Sequence, residues 1–165
     1  MVKVQNYDPY ETDLKFDVEE GDVTIKKGHA DFGKDDVLFF ADEIVRGDYV
    51  ALDTTNDMTV KKAGASDTII GQVIDEPAFK GDRPKADAKS GEYTRRVATV
   101  RLWGDFAHSV QLKEDNSAVS VGDSVVYKGD NVFDKASSKT DSIALESAKA
   151  LEASKVLVLF GYRGL

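Results

Sequence analysis

Hydrophobic residues in this chain recur at every second position, in runs too short for helices, and this period constrains the fold more than any other feature. Leu14, Phe16 and Val18 alternate with Lys15, Asp17 and Glu19; Phe106, His108, Val110 and Leu112 alternate with Ala107, Ser109 and Gln111. A period of two puts the two sets on opposite faces of a pleated strand. Further β-like runs lie at 23–26, 49–53, 59–62, 69–74, 96–103, 124–128, 143–146 and 156–160. Most are bounded by Gly, Asp or Asn, which turn the chain. The pattern predicts a mainly β fold with little helix, a small antiparallel β-barrel or sandwich rather than βαβ units.

One local unit recurs. Glu20-Gly21-Asp22-Val23, Arg46-Gly47-Asp48-Tyr49-Val50 and Val121-Gly122-Asp123-Ser124-Val125 all place Gly-Asp just before a β run. Gly takes positive φ in the turn, Asp bonds nearby backbone N–H groups, and the next residues enter a sheet. The unit is too short to count as a sequence repeat.

Three segments break the pattern. Residues 1–13 are polar, with Tyr7, Pro9 and Tyr10 scattered among them, and read as an extended arm that orders on contact. Residues 75–94 carry Pro77 and Pro84 among Lys, Asp, Gly and Ser, and read as a long exposed loop. Over 141–155 the spacing predicts a strand at the start and a short helical turn near Ala148–Ala153. The remainder, 14–165, reads as one barrel domain, a size that buries a core without staples.

Composition removes several functions. There is no cysteine, hence no disulfide and no thiolate chemistry. With 22 basic and 30 acidic residues the net charge is −8. That balance opposes nucleic-acid and anionic-membrane partners. The start, Met1-Val2-Lys3-Val4, lacks the apolar stretch of a signal peptide, and no apolar run is long enough to span a bilayer. The expectation is a soluble protein made in a cytoplasm.

Motifs for chemistry are weak. Gly28-His29-Ala30-Asp31-Phe32-Gly33-Lys34 fits a phosphate-binding loop, but Asp35 stands where Ser or Thr should hold Mg²⁺. His29 and His108 have no paired metal ligand at helical spacing. Asp53-Thr54-Thr55-Asn56-Asp57 lacks the Gly and distal Glu of a calcium loop and reads as a hairpin turn. His108, in phase with Phe106 and Val110, reads as a core-edge side chain. Ser66, in Gly64-Ala65-Ser66-Asp67, lacks the second Gly of a nucleophile elbow. Arg46-Gly47-Asp48 spells an adhesion tripeptide, but its Gly-Asp serves a strand start. Trp103 suits either a binding hot spot or core packing. The reading is no enzyme, no cofactor and no metal.

From Ile44 onward the order of features resembles a known family. The pieces are Ile44–Asp53, a Gly-Asp turn and strand; Val60–Ala63 followed by Ile69–Val73; Ala98–Phe106, a strand pair bent at Gly104; and Val119–Tyr127, then Ala144–Ser147 and the closing Val156–Phe160. The chain thereby resembles the decoration, or head-stabilising, proteins of tailed phages. The resemblance implies a β-tulip-like barrel, homotrimers on the outer surface of the virion's capsid, and the major capsid protein as partner. Such proteins clamp neighbouring capsid subunits and need no cofactor. On this reading the arm, with Val2, Val4, Tyr7 and Tyr10, contacts the capsid by adding to an exposed sheet edge.

Three other readings stay open, one of them a small enzyme whose site is built from residues scattered in the sequence. Val121–Asp130 followed by Asp134-Lys135-Ala136 is similar to a lipoyl-type carrier domain, although Lys135 comes too early for its hairpin. Another virion module, such as a tail or fibre-base part, fits the same pattern.

Overall fold

The alternating stretches form strands. The computed structural model describes residues 13–26, 37–79, 96–103 and 106–161. Among these every regular element is a strand: β1 Asp13–Glu19, β2 Val23–Lys26, β3 Val37–Phe40, β4 Tyr49–Leu52, β5 Thr59–Lys62, β6 Ile69–Val73, β7 Ala78–Phe79, β8 Arg96–Leu102, β9 Phe106–Gln111, β10 Val125–Tyr127, β11 Phe133–Lys135, β12 Ile143–Ala144 and β13 Lys155–Phe160. The chain divides into two compact units where the sequence suggested one barrel over 14–165. One holds Asp13–Lys62 and Ile70–Arg101; the other includes Ala63–Ile69 and the chain from Leu102 onward.

The first unit is built on a closed five-strand barrel. Its order is β1-β5-β4-β6-β8, and β8 pairs back to β1. The small, mainly antiparallel barrel expected from the sequence is present, with one parallel pair: β1 and β5, with Val18 opposite Val60. The reason is parity: an odd ring cannot alternate direction all the way round, so one neighbouring pair must match. Phe16, Val18, Val50, Val60, Val73, Ala98 and Val100 are all buried. Side chains fill a barrel this narrow, and burying each large one contributes about 1.5–3 kcal/mol. β6 and β8 approach closely at Gly71, where an added Cβ would lie 2.3 Å from the Arg101 carbonyl oxygen. β2 and β3 form a separate antiparallel hairpin, and β7 pairs with β8.

The second unit pairs β9 with β13 and β13 with β12, and pairs β10 with β11. Its centre is aromatic. Trp103 stacks on Phe160 at 4.1 Å, Phe160 meets Phe133 edge-on at 5.8 Å, and Phe133 meets Tyr127 at 5.2 Å. The helical turn expected near Ala148–Ala153 is absent. Ala148 instead exchanges both backbone bonds with Val119, at 2.9 Å each, which removes the groups a helix would need.

Candidate protein-binding surface

Residues singled out by chemistry have structural settings. Asp48 of the Arg-Gly-Asp tripeptide is buried; its carboxylate accepts the Val45 N–H at 3.0 Å and pairs with Lys62 at 3.6 Å. Asp53 accepts from the Thr55 N–H and hydroxyl and from the Asn56 amide, at 2.7–3.0 Å, capping the β4–β5 hairpin as expected. Ser66 lies in an exposed turn closed by Asp67 and Gly64. His108 is half-buried, with its ring 5.3 Å from Trp103. Lys135 ends β11, paired with β10 and 2.8 Å from Asp123, whereas a swinging-arm lysine sits at a hairpin tip. Residues 28–34 lie outside the described residues, but the flanking strands β2 and β3 pair antiparallel, unlike the strand–loop–helix of a phosphate loop. Val2, Val4, Tyr7 and Tyr10 also lie outside the described residues. Among the described residues no group of three or more His, Cys, Asp or Glu could hold a metal ion.

A different set of residues faces outward. Met58 is 57% exposed at φ 47°, and Leu151 is 75% exposed at φ 60°. Left-handed backbone costs a residue with a Cβ about 1–2 kcal/mol, and neither side chain gains burial in return. Each is held by its neighbours. The Met58 carbonyl accepts the Asp17 N–H of β1 at 2.9 Å. Leu151 is pinned by Asn116, which is 1% exposed. The Asn116 carbonyl accepts from Leu151 at 3.0 Å, its side-chain oxygen accepts from Glu152 at 3.0 Å, and its amide donates to Lys149 at 2.9 Å.

In the second unit Val121 and Leu145 are exposed beside the same ribbon. Val121 donates to the Ser147 hydroxyl at 3.3 Å, and Gly122 donates to the Ala144 carbonyl at 2.8 Å. The 116–123 and 144–151 segments therefore run together and carry Val121, Leu145 and Leu151 on their outer side. The sequence reading missed Leu151 because it lies within the helical turn expected near Ala148–Ala153. Leu151 and Met58 carry no spacing signal, since each sits in a turn rather than a periodic run.

Charged groups fix the scaffold within each unit. Glu20 and Arg96 form a two-point ion pair: Nε donates to Oε1 at 2.8 Å, and Nη2 donates to Oε2. Glu20 also accepts the Ile44 N–H at 2.9 Å, while Arg96 donates to Ile44 and Pro77 carbonyls and lies 4.5 Å over Phe40. Burial opposes the Arg96 charge, but the Glu20 hydrogen bonds and charge outweigh it and raise the guanidinium pKa. In the second unit Asp134 accepts from the Ser117 and Lys135 N–H groups at 2.9 and 2.7 Å and pairs with Lys113 at 3.2 Å. Burial pushes its pKa up; these bonds together push further down, so the net shift is downward. The Asp123 pKa is lowered by Lys135 first and by the Ser120 N–H second.

No protein-family model matches the chain, and no curated protein or solved structure shows significant similarity to it.

Proposed function

We propose that this chain is a capsid-decoration protein, a non-catalytic binder on the outer surface of a viral head. It is made in the host cytoplasm and joins the virion as a homotrimer. It contacts the major capsid protein and clamps neighbouring subunits against internal pressure. The sequence resemblance supports this reading, and its four pieces fall on β4, on β5 and β6, on β8 and β9, and on β10, β12 and β13.

The observation that carries it is the pair Met58 and Leu151. Two large apolar side chains stand exposed on left-handed backbone and are pinned by hydrogen bonds. Strained, rigid, water-facing apolar groups, one on each unit, suit contacts that are preorganised before a partner arrives. Repetition of modest contacts over a shell then adds avidity.

The test is co-sedimentation of the purified chain with expanded heads of the virus that encodes it. Saturable binding that survives salt, with heads more resistant to heat than undecorated ones, is expected. Failure to sediment at large protein excess overturns the reading. Light scattering on the free chain is expected to give a trimer of the 18.0 kDa subunit.

A further inference from the structure

The two units follow one wiring diagram. In the second unit two isolated bridges complete a ring. Leu112, just after β9, pairs parallel with Phe133 of β11, and Ser124, just before β10, pairs antiparallel with Ile143 of β12. The circuit is then β9-β11-β10-β12-β13 and back to β9. The first unit reads β1-β5-β4-β6-β8 and back to β1. Matched in chain order, β1, β4, β5, β6 and β8 correspond to β9, β10, β11, β12 and β13. Parity requires an odd number of parallel pairs in a five-membered ring but does not choose which. Both rings have a single one, between their first and third strands.

We infer that the two units are two copies of one five-strand module, a tandem duplication within the chain. Register supports this independently of strand order. In the first hairpin Val50 opposes Lys62 and Leu52 opposes Val60; in the second Val125 opposes Lys135 and Tyr127 opposes Phe133. The parallel pairing then sets Val18 on Val60 and Leu112 on Phe133. The return pairing sets Phe16 on Ala98 and Val110 on Val156. These assignments agree with one another. They equate Val18 with Leu112, Val50 with Val125, Val60 with Phe133, and Ala98 with Val156, and all eight are buried.

The Gly-Asp turn gives a third, atomic agreement. Gly47 has φ 96° and Gly122 has φ 89°. The Val45 N–H donates to the Asp48 carboxylate at 3.0 Å, and the Ser120 N–H donates to that of Asp123 at 2.8 Å. The backbone bonds match as well. Gly47 donates to Val73 and Val73 donates to Asp48; Gly122 donates to Ala144 and Ala144 donates to Asp123, all at 2.8–2.9 Å. A lysine from the third strand completes both turns, Lys62 on Asp48 and Lys135 on Asp123. The residue before each turn, Ile44 or Val119, is fully buried.

The copies differ in two connections. Between its first and second strands the first copy carries the β2–β3 hairpin, and between its fourth and fifth strands it carries β7. The second copy crosses both places with shorter segments, 113–124 and 145–154. Duplication doubles the equivalent modules each chain brings to a repeating partner. That consequence rests on the decoration reading; the duplication does not, and it is tested without a partner.

The experiment is solution NMR on the full chain. Cross-strand backbone contacts are expected between Leu112 and Phe133 in parallel geometry and between Ser124 and Ile143. Absence of either leaves the second ring open and overturns the duplication. Asp48→Ala and Asp123→Ala supply the second measurement. Each removes a charged acceptor, so exchange of the Val45 amide in the first variant and the Ser120 amide in the second should accelerate about tenfold or more. A response in one copy without its counterpart in the other overturns the equivalence.

Discussion

Arg96 grips Glu20 through two guanidinium nitrogens, and the same two residues also hold the backbone of Ile44. Both side chains are withdrawn from solvent, at 12% and 4% exposure. Removing one partner from such a pair leaves the other buried and uncompensated, which costs about 3–5 kcal/mol. Glu20→Ala is therefore expected to destabilise the first unit by that order, measured by urea unfolding. Replacing both residues with apolar ones of similar volume should restore much of the loss. A neutral Glu20→Ala variant would show that the pair does not anchor the turn at Ile44.

Leu151 separates binding from folding. Glycine accepts its left-handed backbone without a Cβ clash, and the side chain is 75% exposed. Leu151→Gly should then change stability by no more than about 1 kcal/mol, relief of strain offsetting the entropy of glycine. Binding to heads should weaken clearly, as should binding by Met58→Gly. Full binding by both variants in co-sedimentation would remove these residues from the contact surface.

The fold was legible where alternation was long. β8 and β13 carry buried residues at alternate positions, such as Val156, Val158 and Phe160, β1 does so at Phe16 and Val18, and the bounds of these strands and of β9 follow the pattern closely. The hairpin turn at Asp53 and the strand-starting role of each Gly-Asp were also readable, because Asp and Gly act locally. What stayed hidden is nonlocal. β11 has three residues and β12 two, too few to show a period. The parallel β1–β5 closure depends on partners some forty residues apart in sequence. The resemblance between units lies in register: Val60 matches Phe133 and Val18 matches Leu112, substitutions that keep burial and erase identity. The candidate surface was unreadable for a related reason, since Met58 and Leu151 owe their exposure to bonds from Asp17 and Asn116.

Acid should act on the second unit through Asp123 and Asp134. Both have folded pKa values below the ordinary carboxylate value of 3.8, Asp123 chiefly through Lys135, and Asp134 through backbone and Lys113 bonds that overcome its burial. A depressed folded pKa means the unfolded chain takes up protons first. The stabilisation is fully present above the unfolded value, about pH 4, and is lost as pH falls through the folded values. Wild type should hold its stability from neutral pH down to about pH 5 and lose it below about pH 4. Asp134→Asn should be less stable than wild type at neutral pH and should converge on it in acid. Urea midpoints across pH measure this, and parallel curves for the two proteins would count against it.

Gly71 tests closure of the first barrel. An added Cβ would meet the Arg101 carbonyl oxygen at 2.3 Å, the Val100 Cγ1 at 2.8 Å and the Arg101 carbonyl carbon at 2.9 Å. Two of these atoms are backbone of the paired strand, so no side-chain rotation relieves the clash. β6 and β8 must separate, and the ring they close must open with them. Gly71→Ala should therefore destabilise by about 3 kcal/mol or more, at the upper end of overpacking costs. Ala144→Gly, at a fully buried position in the matching strand β12, removes a methyl group instead. It should cost only about 1 kcal/mol through a small cavity and the entropy of glycine. Equal losses in the two variants, by urea unfolding, would show that the close approach at Gly71 does not hold the barrel shut.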